Sequence, residues 1–279
     1  MQVQSISDQL FFTTVRIDIS TAGGGQGSGT GFIFSHVIGG IEHRVIVTNK
    51  HVALGGQQGT FSFLTMKDGQ PHLGNGFVIA FDQQAWQSMW FGHPDPDVDI
   101  AMTALPPILD SVKQHSGQEL YFRAIPSTAI PTAEQALEVD SLVSVTFAGY
   151  PNGVWDSKNL LPVIRRGSTA TPLDIDFENT PRFIIDASVF GGSSGSPVFI
   201  HEQGSFATRS GDMVVGSRFF FIGVIAAVFF RTEENRVISQ PIPTHTQPMV
   251  QNREMLDLGI VFKARTVVET LEALVRAAQ

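Results

Sequence analysis

The chain has 279 residues, 42% hydrophobic and 16% charged, which is enough apolar surface for one large core or two modest ones. A formal net charge of −8 with no long basic run argues against a nucleic-acid binder, which needs a positive stripe to neutralise phosphates. The absence of cysteine excludes a disulfide framework, a thiolate metal site and a cysteine nucleophile together.

The 27 glycines and 15 prolines are spread along the chain, a distribution that predicts many short elements joined by turns, and the β-branched and Phe-rich runs between them point to an all-β or β-dominated fold class. The first twenty residues lack a basic start, a long apolar stretch and a small-residue cleavage site, so no signal peptide and a cytoplasmic location are expected. From Thr14 to Ile19, Val15, Ile17 and Ile19 alternate with Thr14, Arg16 and Asp18, the two-residue period of a half-buried strand. A glycine-rich turn over Gly23–Gly31 follows, then Phe32–Phe34, a second turn at Gly39-Gly40, and Val45–Val47. Short strands at turn-marked intervals predict a sandwich or small barrel, continued at Phe61–Leu64 and Phe77–Phe81.

Residues 105 to 140 are polar and weakly patterned, broken by Pro106, Pro107, Pro126 and Pro131, and read as an interdomain connection. Alternation resumes at Leu142–Phe147, Arg182–Asp186, Pro197–Ile200, Met213–Val215 and Phe219–Phe230. The last of these runs is interrupted by Gly223 and is too short to cross a bilayer, so no membrane partner is expected. The predicted organisation is a first β-rich part over 1–110, a connection over 111–140 and a second β-rich part over 141–279. Near the end the period changes: Val267, Leu271, Leu274 and Val275 recur at helical spacing, predicting a closing amphipathic helix over 266–278.

Three segments carry chemistry. In Val47-Thr48-Asn49-Lys50-His51-Val52 a histidine ends an apolar strand; in Asp97-Val98-Asp99-Ile100-Ala101 an acid sits in an apolar setting; and Phe190-Gly191-Gly192-Ser193-Ser194-Gly195-Ser196-Pro197 surrounds a serine with glycines. A serine hydroxyl becomes a nucleophile near neutral pH only with a base in hydrogen-bond reach, and imidazole has the right basicity. A carboxylate can then hold the ring in the useful tautomer and stabilise the imidazolium. Glycines around the serine let backbone amides turn towards a developing oxyanion.

These segments resemble the chymotrypsin-like serine proteases, nearer to their bacterial, disulfide-free branch. T-x-x-H, D-I-A and G-x-S-G-S-P resemble the family's histidine, aspartate and serine motifs, in the family's order. Gly29-Thr30-Gly31-Phe32 resembles the strand before the histidine, and Leu258-Gly259-Ile260-Val261-Phe262 resembles the last strand before a closing helix, so the likeness runs from about residue 28 to the end. It implies a double β-barrel with a C-terminal helix, a protein or peptide substrate, and no metal or organic cofactor. It implies Ser194 as nucleophile, His51 as general base and acid, and Asp99 as its orienting partner. The amides of Gly192 and Ser194 would form the oxyanion hole, and Ala226, Ala227 and Val228 would pair with substrate backbone. Ser188 lies where the family sets primary specificity; being neutral, it speaks against Lys/Arg selection, and Ile225 does not supply the histidine of glutamyl endopeptidases. With Ala226, Val228 and Gly259 nearby, a small or medium apolar side chain is expected before the scissile bond.

The sequence also departs from the animal digestive branch. Ser193 stands where that branch has an Asp that receives a newly cut terminal ammonium, so an enzyme needing no such cut is expected, and Val37-Ile38-Gly39-Gly40 reads as a hairpin turn. Other readings are a protease-fold binding module that does not cleave, and an esterase. His93, Asp95, Asp97 and Asp99 form a conceivable metal cluster, although two prolines and alternate spacing disfavour it. Gly191–Gly195 also satisfies G-x-S-x-G with Ser193 as nucleophile and Asp212 and His245 following, but that elbow needs a helix after the serine where Ser196–Ile200 reads as strand. Arg165-Arg166-Gly167 reads as a substrate contact or, more simply, as turn and surface.

Overall fold

The computed structural model describes residues 1–232 and 253–278. Its first half is a nine-stranded sheet made by β1 (Thr14–Ser20), β2 (Gln26–Ile38), β3 (Ile41–Thr48), β4 (Gln58–Lys67), β5 (Gln70–Phe81), β6 (Phe91–Gly92), β7 (Ala101–Ala104), β8 (Leu120–Tyr121) and β9 (Ile125–Pro126). The order along the main path is β5-β4-β1-β2-β3-β7-β6, with β8 on β4 and β9 parallel to β2. The second half adds β10 (Ser144–Gly149), β11 (Val163–Thr169), β12 (Arg182–Asp186), β13 (Pro197–Glu202), the exposed hairpin β14 (Ser205–Ala207) with β15 (Met213–Val215), then β16 (Arg218–Thr232) and β17 (Arg253–Lys263). Six of these strands close a barrel in the order β10-β11-β12-β17-β16-β13.

The chain is thus mostly β, with one closed barrel beside one large curled sheet. The expectation of two closed barrels is met in the second half only. In the first half no ladder joins β6 to β5, because β6 has two residues and β7 four, while β5 spends its length on β4. Short terminal strands cannot complete the hydrogen-bonded circuit that closure demands.

Among the described residues, six α-helices accompany the strands: α1 (Ile6–Leu10), α2 (Lys50–Ala53), α3 (Gln83–Met89), α4 (Pro106–Ser116), α5 (Ala133–Glu138) and α6 (Arg265–Ala277). The stretch 105–140 holds α4, α5 and two short strands that dock on the first sheet. Its α4 begins with Pro106 and Pro107 at the first helical positions, where the missing amides are tolerated, and ends on Gly117 in the left-handed region. None of the described helices is long and apolar enough to cross a membrane.

The glycine-rich stretch behaves differently from a plain turn. Only its first part turns; Gly27, Gly29 and Gly31 lie within β2. A Cβ on Gly29 would stand 2.6 Å from Val52 Cγ1, so the missing side chain lets α2 press against the strand. Gly39 and Gly40, both at positive φ, make the β2–β3 hairpin turn as read.

Among the described residues, three large apolar cores follow, beside a small cluster of Phe12, Leu64 and Tyr121. One fills the first sheet around Val15, Ile17, Phe61 and Trp86, and another fills the barrel around Val145, Phe183, Val198 and Val261. The third joins the halves: Phe32, Phe34 and Val47 pack with Phe199, Phe221 and Phe262, and α6 covers them through Val267 and Leu271. Buried aromatic contacts of this kind, such as Phe32 to Phe221 at 5.4 Å between centroids, make the two halves one packed body.

Candidate active site

His51 is carried on α2, a single turn after β3, rather than on the strand end that the sequence suggested. The turn forms because Asn49 holds an extended backbone and Lys50 to Ala53 then wind with Val52 and Ala53 buried. Trp86 Nε1 donates to Ala53 O at 2.9 Å and pins the turn from behind. Asp99 stands just before β7, between the buried side chains of Val98 and Ile100. Its carboxylate receives the His51 backbone amide on Oδ1 at 3.1 Å, while Oδ2 lies 2.6 Å from His51 Nδ1. Fully buried Asn49 donates from Nδ2 to Asp99 O at 2.7 Å, holding the acid's backbone against α2. The pair is half open to solvent, with side-chain exposures of 50% for His51 and 27% for Asp99.

Ser194 sits on the loop between β12 and β13. Two glycines give that loop its shape: Gly192 has φ +82° and Gly195 φ +87°, which a side chain would strain. Space forbids one as well, since a Cβ would come 2.3 Å from Tyr150 O at Gly192 and 1.9 Å from Thr30 O at Gly195. Ser193 N donates to Phe190 O and Ser196 N to Ser193 O, each at 3.0 Å, and Asn152 N donates to Gly191 O at 2.5 Å. Gly195 N donates to Ile225 O at 2.8 Å. Among the described residues, the amides of Gly192 and Ser194 donate to no acceptor. Two neighbouring free amides on a left-handed turn suit an incoming anion.

Thr30 ties this loop to the first half. Its amide donates to Ser194 O at 2.9 Å, its hydroxyl to Gly192 O at 2.8 Å, and its carbonyl accepts from Thr48 Oγ1 at 2.8 Å. Tyr150 N donates to Thr30 Oγ1 at 3.2 Å, and burial pushes the Tyr150 phenol up to about 12. Sequence reasoning assigned Thr30 no role, although a threonine between two glycines, in a strand close to the histidine, was a usable signal.

The structure brings His51 and Asp99 into contact. Ser194 Oγ lies 3.5 Å from Ala226 O, and no hydrogen bond within 3.5 Å joins it to His51. Ala226 is buried, Ala227 exposed and Val228 half-buried on β16, where Ala227 pairs with Ile260 and Val228 with Gly259. The β13–β16 ladder ends at Pro197 and Val224, so the Ala226–Val228 stretch has no β13 partner. A Cβ at Gly259 would meet Val189 Cγ2 at 2.9 Å, so this glycine leaves room for the loop that carries Ser188. Ser188 itself is exposed, and its carbonyl accepts from Arg165 Nη1. Arg165 belongs to β11 rather than to a turn.

The other readings find less. His93 Nδ1 accepts from Asp95 N at 3.0 Å, Asp95 Oδ1 accepts from Asp97 N at 2.9 Å, and no group of three or more metal-ligating side chains occurs among the described residues. Ser193 is fully buried and a strand, not a helix, follows its loop. Asp212 accepts from Ser210 Oγ beside the β14–β15 hairpin, and His245 lies outside the described residues.

A barrel against a curled sheet, with a His–Asp pair on one and a glycine-flanked serine on the other, invites comparison with peptidases. The family model for the trypsin-like peptidase domain matches residues 29–207, well over half of the chain. The chain belongs to that family. No curated protein matches it. Among solved structures it is similar to the active form of the Rv3671c protease from M. tuberculosis, at 18% identity and TM-score 0.46, covering 96% of this chain and 82% of that one. It is similar to the thermostable serine protease AL20 from an extremophilic microorganism, at 16% identity and TM-score 0.46, covering 94% and 97%. It is also similar to the scabies mite inactivated protease paralogue S-I1, at 12% identity and TM-score 0.45, covering 95% of each.

Proposed function

We propose that this chain is a serine endopeptidase that uses Ser194, His51 and Asp99. The observation that carries the reading is the His51–Asp99 pair at 2.6 Å, together with a serine loop whose Gly192 and Ser194 amides are uncommitted among the described residues. Asp99 fixes the proton of His51 on Nδ1 and leaves Nε2 as the base for Ser194. Ser194 Oγ attacks the scissile carbonyl, its proton passes to Nε2, and the amides of Gly192 and Ser194 take the oxyanion. His51 then returns the proton to the leaving amine, and water repeats the sequence on the acyl-enzyme. The stretch Ala226–Val228, which has no β13 partner, receives the substrate backbone as an added strand. Ser188, Ala226, Val228 and Gly259 favour a small or medium apolar residue before the scissile bond. Residues 1–110 contribute His51 and Asp99, residues 141–279 contribute Ser194, and 111–140 connect them.

A fluorophosphonate probe should label the wild type and not Ser194→Ala, and that variant should lose roughly 10⁴ to 10⁶ in turnover. Equal labelling of both proteins refutes the assignment. The contact of Ser194 Oγ with Ala226 O, rather than with His51, favours a second reading, a protease-fold binding module without turnover. Hydrogen bonds of this kind are often long before substrate binds, which is why the catalytic reading is preferred. Turnover of a broad peptide library separates the two, and the ratio of ester to amide hydrolysis tests for an esterase.

A further inference from the structure

The Ser194 loop has a second anchor that the bond-making steps do not use. Arg165 lies on β11, opposite Phe147 on β10. Its guanidinium stands 4.8 Å from the centroid of Phe147 and 5.6 Å from that of Phe190, so two aromatic rings hold it. From there Nη1 donates to Ser188 O, and Nη2 donates to Ser193 Oγ at 2.6 Å. The two acceptors lie at the two ends of the Ser188–Ser193 segment. Ser193 N in turn donates to Phe190 O, so the ring that flanks the cation belongs to the segment it grips.

This cation is half-buried, burial lowers its basicity, and among the described residues no carboxylate offsets it. Desolvating a charge without a counter-ion costs stability, so its retention calls for a compensating task. Geometry supplies one. The Gly192 amide is aimed only while its segment keeps the left-handed turn, and the rigid two-pronged guanidinium fixes both ends of that turn. Ser193 is a neutral acceptor, so the grip needs no ion pair and no newly cut chain terminus.

We propose that Arg165 is a positioning residue that holds Ser188–Ser193 in the shape that aims the Gly192 and Ser194 amides at the oxyanion, so that the uncut chain carries a formed oxyanion site. This rests on the serine-peptidase reading above. The test measures the second-order rate of fluorophosphonate labelling at Ser194 on the full-length chain, because the phosphoryl oxygen of the probe needs the same two amides. Arg165→Met keeps apolar contact with the rings and removes both donors; it should label about 10²-fold more slowly, the size of losing one oxyanion donor. Arg165→Lys, with one charged prong, should recover about tenfold of that loss, and free guanidinium ion should speed Arg165→Ala, which empties the site, while leaving wild type unchanged.

Labelling of Arg165→Met within threefold of wild type overturns the proposal. So does an equal loss in Arg165→Met and Arg165→Lys that tracks their melting temperatures, since that marks a merely structural arginine. A wild type that resists the probe removes the serine-peptidase reading itself and this proposal with it, whereas a reactive wild type with an equally reactive Arg165→Met removes only the proposal.

Discussion

Replacing Asp99 by Asn alters the site by one oxygen and separates catalysis from stability. The carboxylate meets two donors, the His51 amide at 3.1 Å and His51 Nδ1 at 2.6 Å. An asparagine can still accept the backbone amide on Oδ1. Its Nδ2 then faces His51 Nδ1, which must become an acceptor, so the ring proton moves to Nε2, the atom proposed as base. The wrong tautomer and the lost charge together cost about 10⁴-fold in kcat where a triad acid is buried, or about 5.5 kcal/mol of barrier. Here Asp99 and His51 are 27% and 50% exposed, so water screens part of the charge and the expected loss is about 10³- to 10⁴-fold. Stability should hardly move. A half-exposed pair contributes under about 1 kcal/mol, and the Asn49 bond to Asp99 O uses only backbone. Kinetics of peptide hydrolysis beside a denaturant melt would check both quantities. Activity within tenfold of wild type would refute the role given to Asp99, and a loss of activity that follows a loss of stability would refute the tautomer argument.

Two further outcomes follow from packing and burial. Gly29→Val should destabilise the fold by about 1–3 kcal/mol, because its Cβ would stand 2.6 Å from Val52 Cγ1, and Val52→Ala in the same chain should restore part of that; a chemical-denaturation series with the double variant measures it. Tyr150 holds its proton to about 12 in the folded chain against 10.0 in the open, so its contribution is full below pH 10 and is lost as pH rises to 12. Ultraviolet titration should show one of the two tyrosines ionising late, and Tyr150→Phe should remove that late phase.

Local patterning made much of the β architecture legible. Arg182–Asp186 and Met213–Val215 are strands over the ranges their alternation marked, and the closing helix, Arg265–Ala277, starts and ends within a residue of its predicted bounds. What the pattern missed has a common cause. Gly27, Gly29 and Gly31 looked like turn residues because glycine is judged by its own flexibility, whereas here each spares room for a neighbour distant in sequence, as Val52 is for Gly29. The run 163–169 carries two arginines that masked a barrel strand, since Arg165 half-buries its charge against Phe147 of β10 and Phe190 of the serine loop, which only the folded chain brings together. Closure of the first sheet depends on how long β6 and β7 run, and hydrophobic alternation says little about strands of two and four residues.

The sequence by itself determined the residue types of the candidate site and their glycine-rich surroundings, because motifs are local and the turn at Ser194 demands glycine wherever it occurs. Only the tertiary structure decided that Asp99 reaches the backbone amide and Nδ1 of His51, that Thr30 clasps the serine loop, and that Arg165 grips it from β11. Those contacts join residues far apart in the chain, and a hydrogen bond of about 3 Å is fixed by the packing of whole sheets, which no neighbouring run of residues encodes.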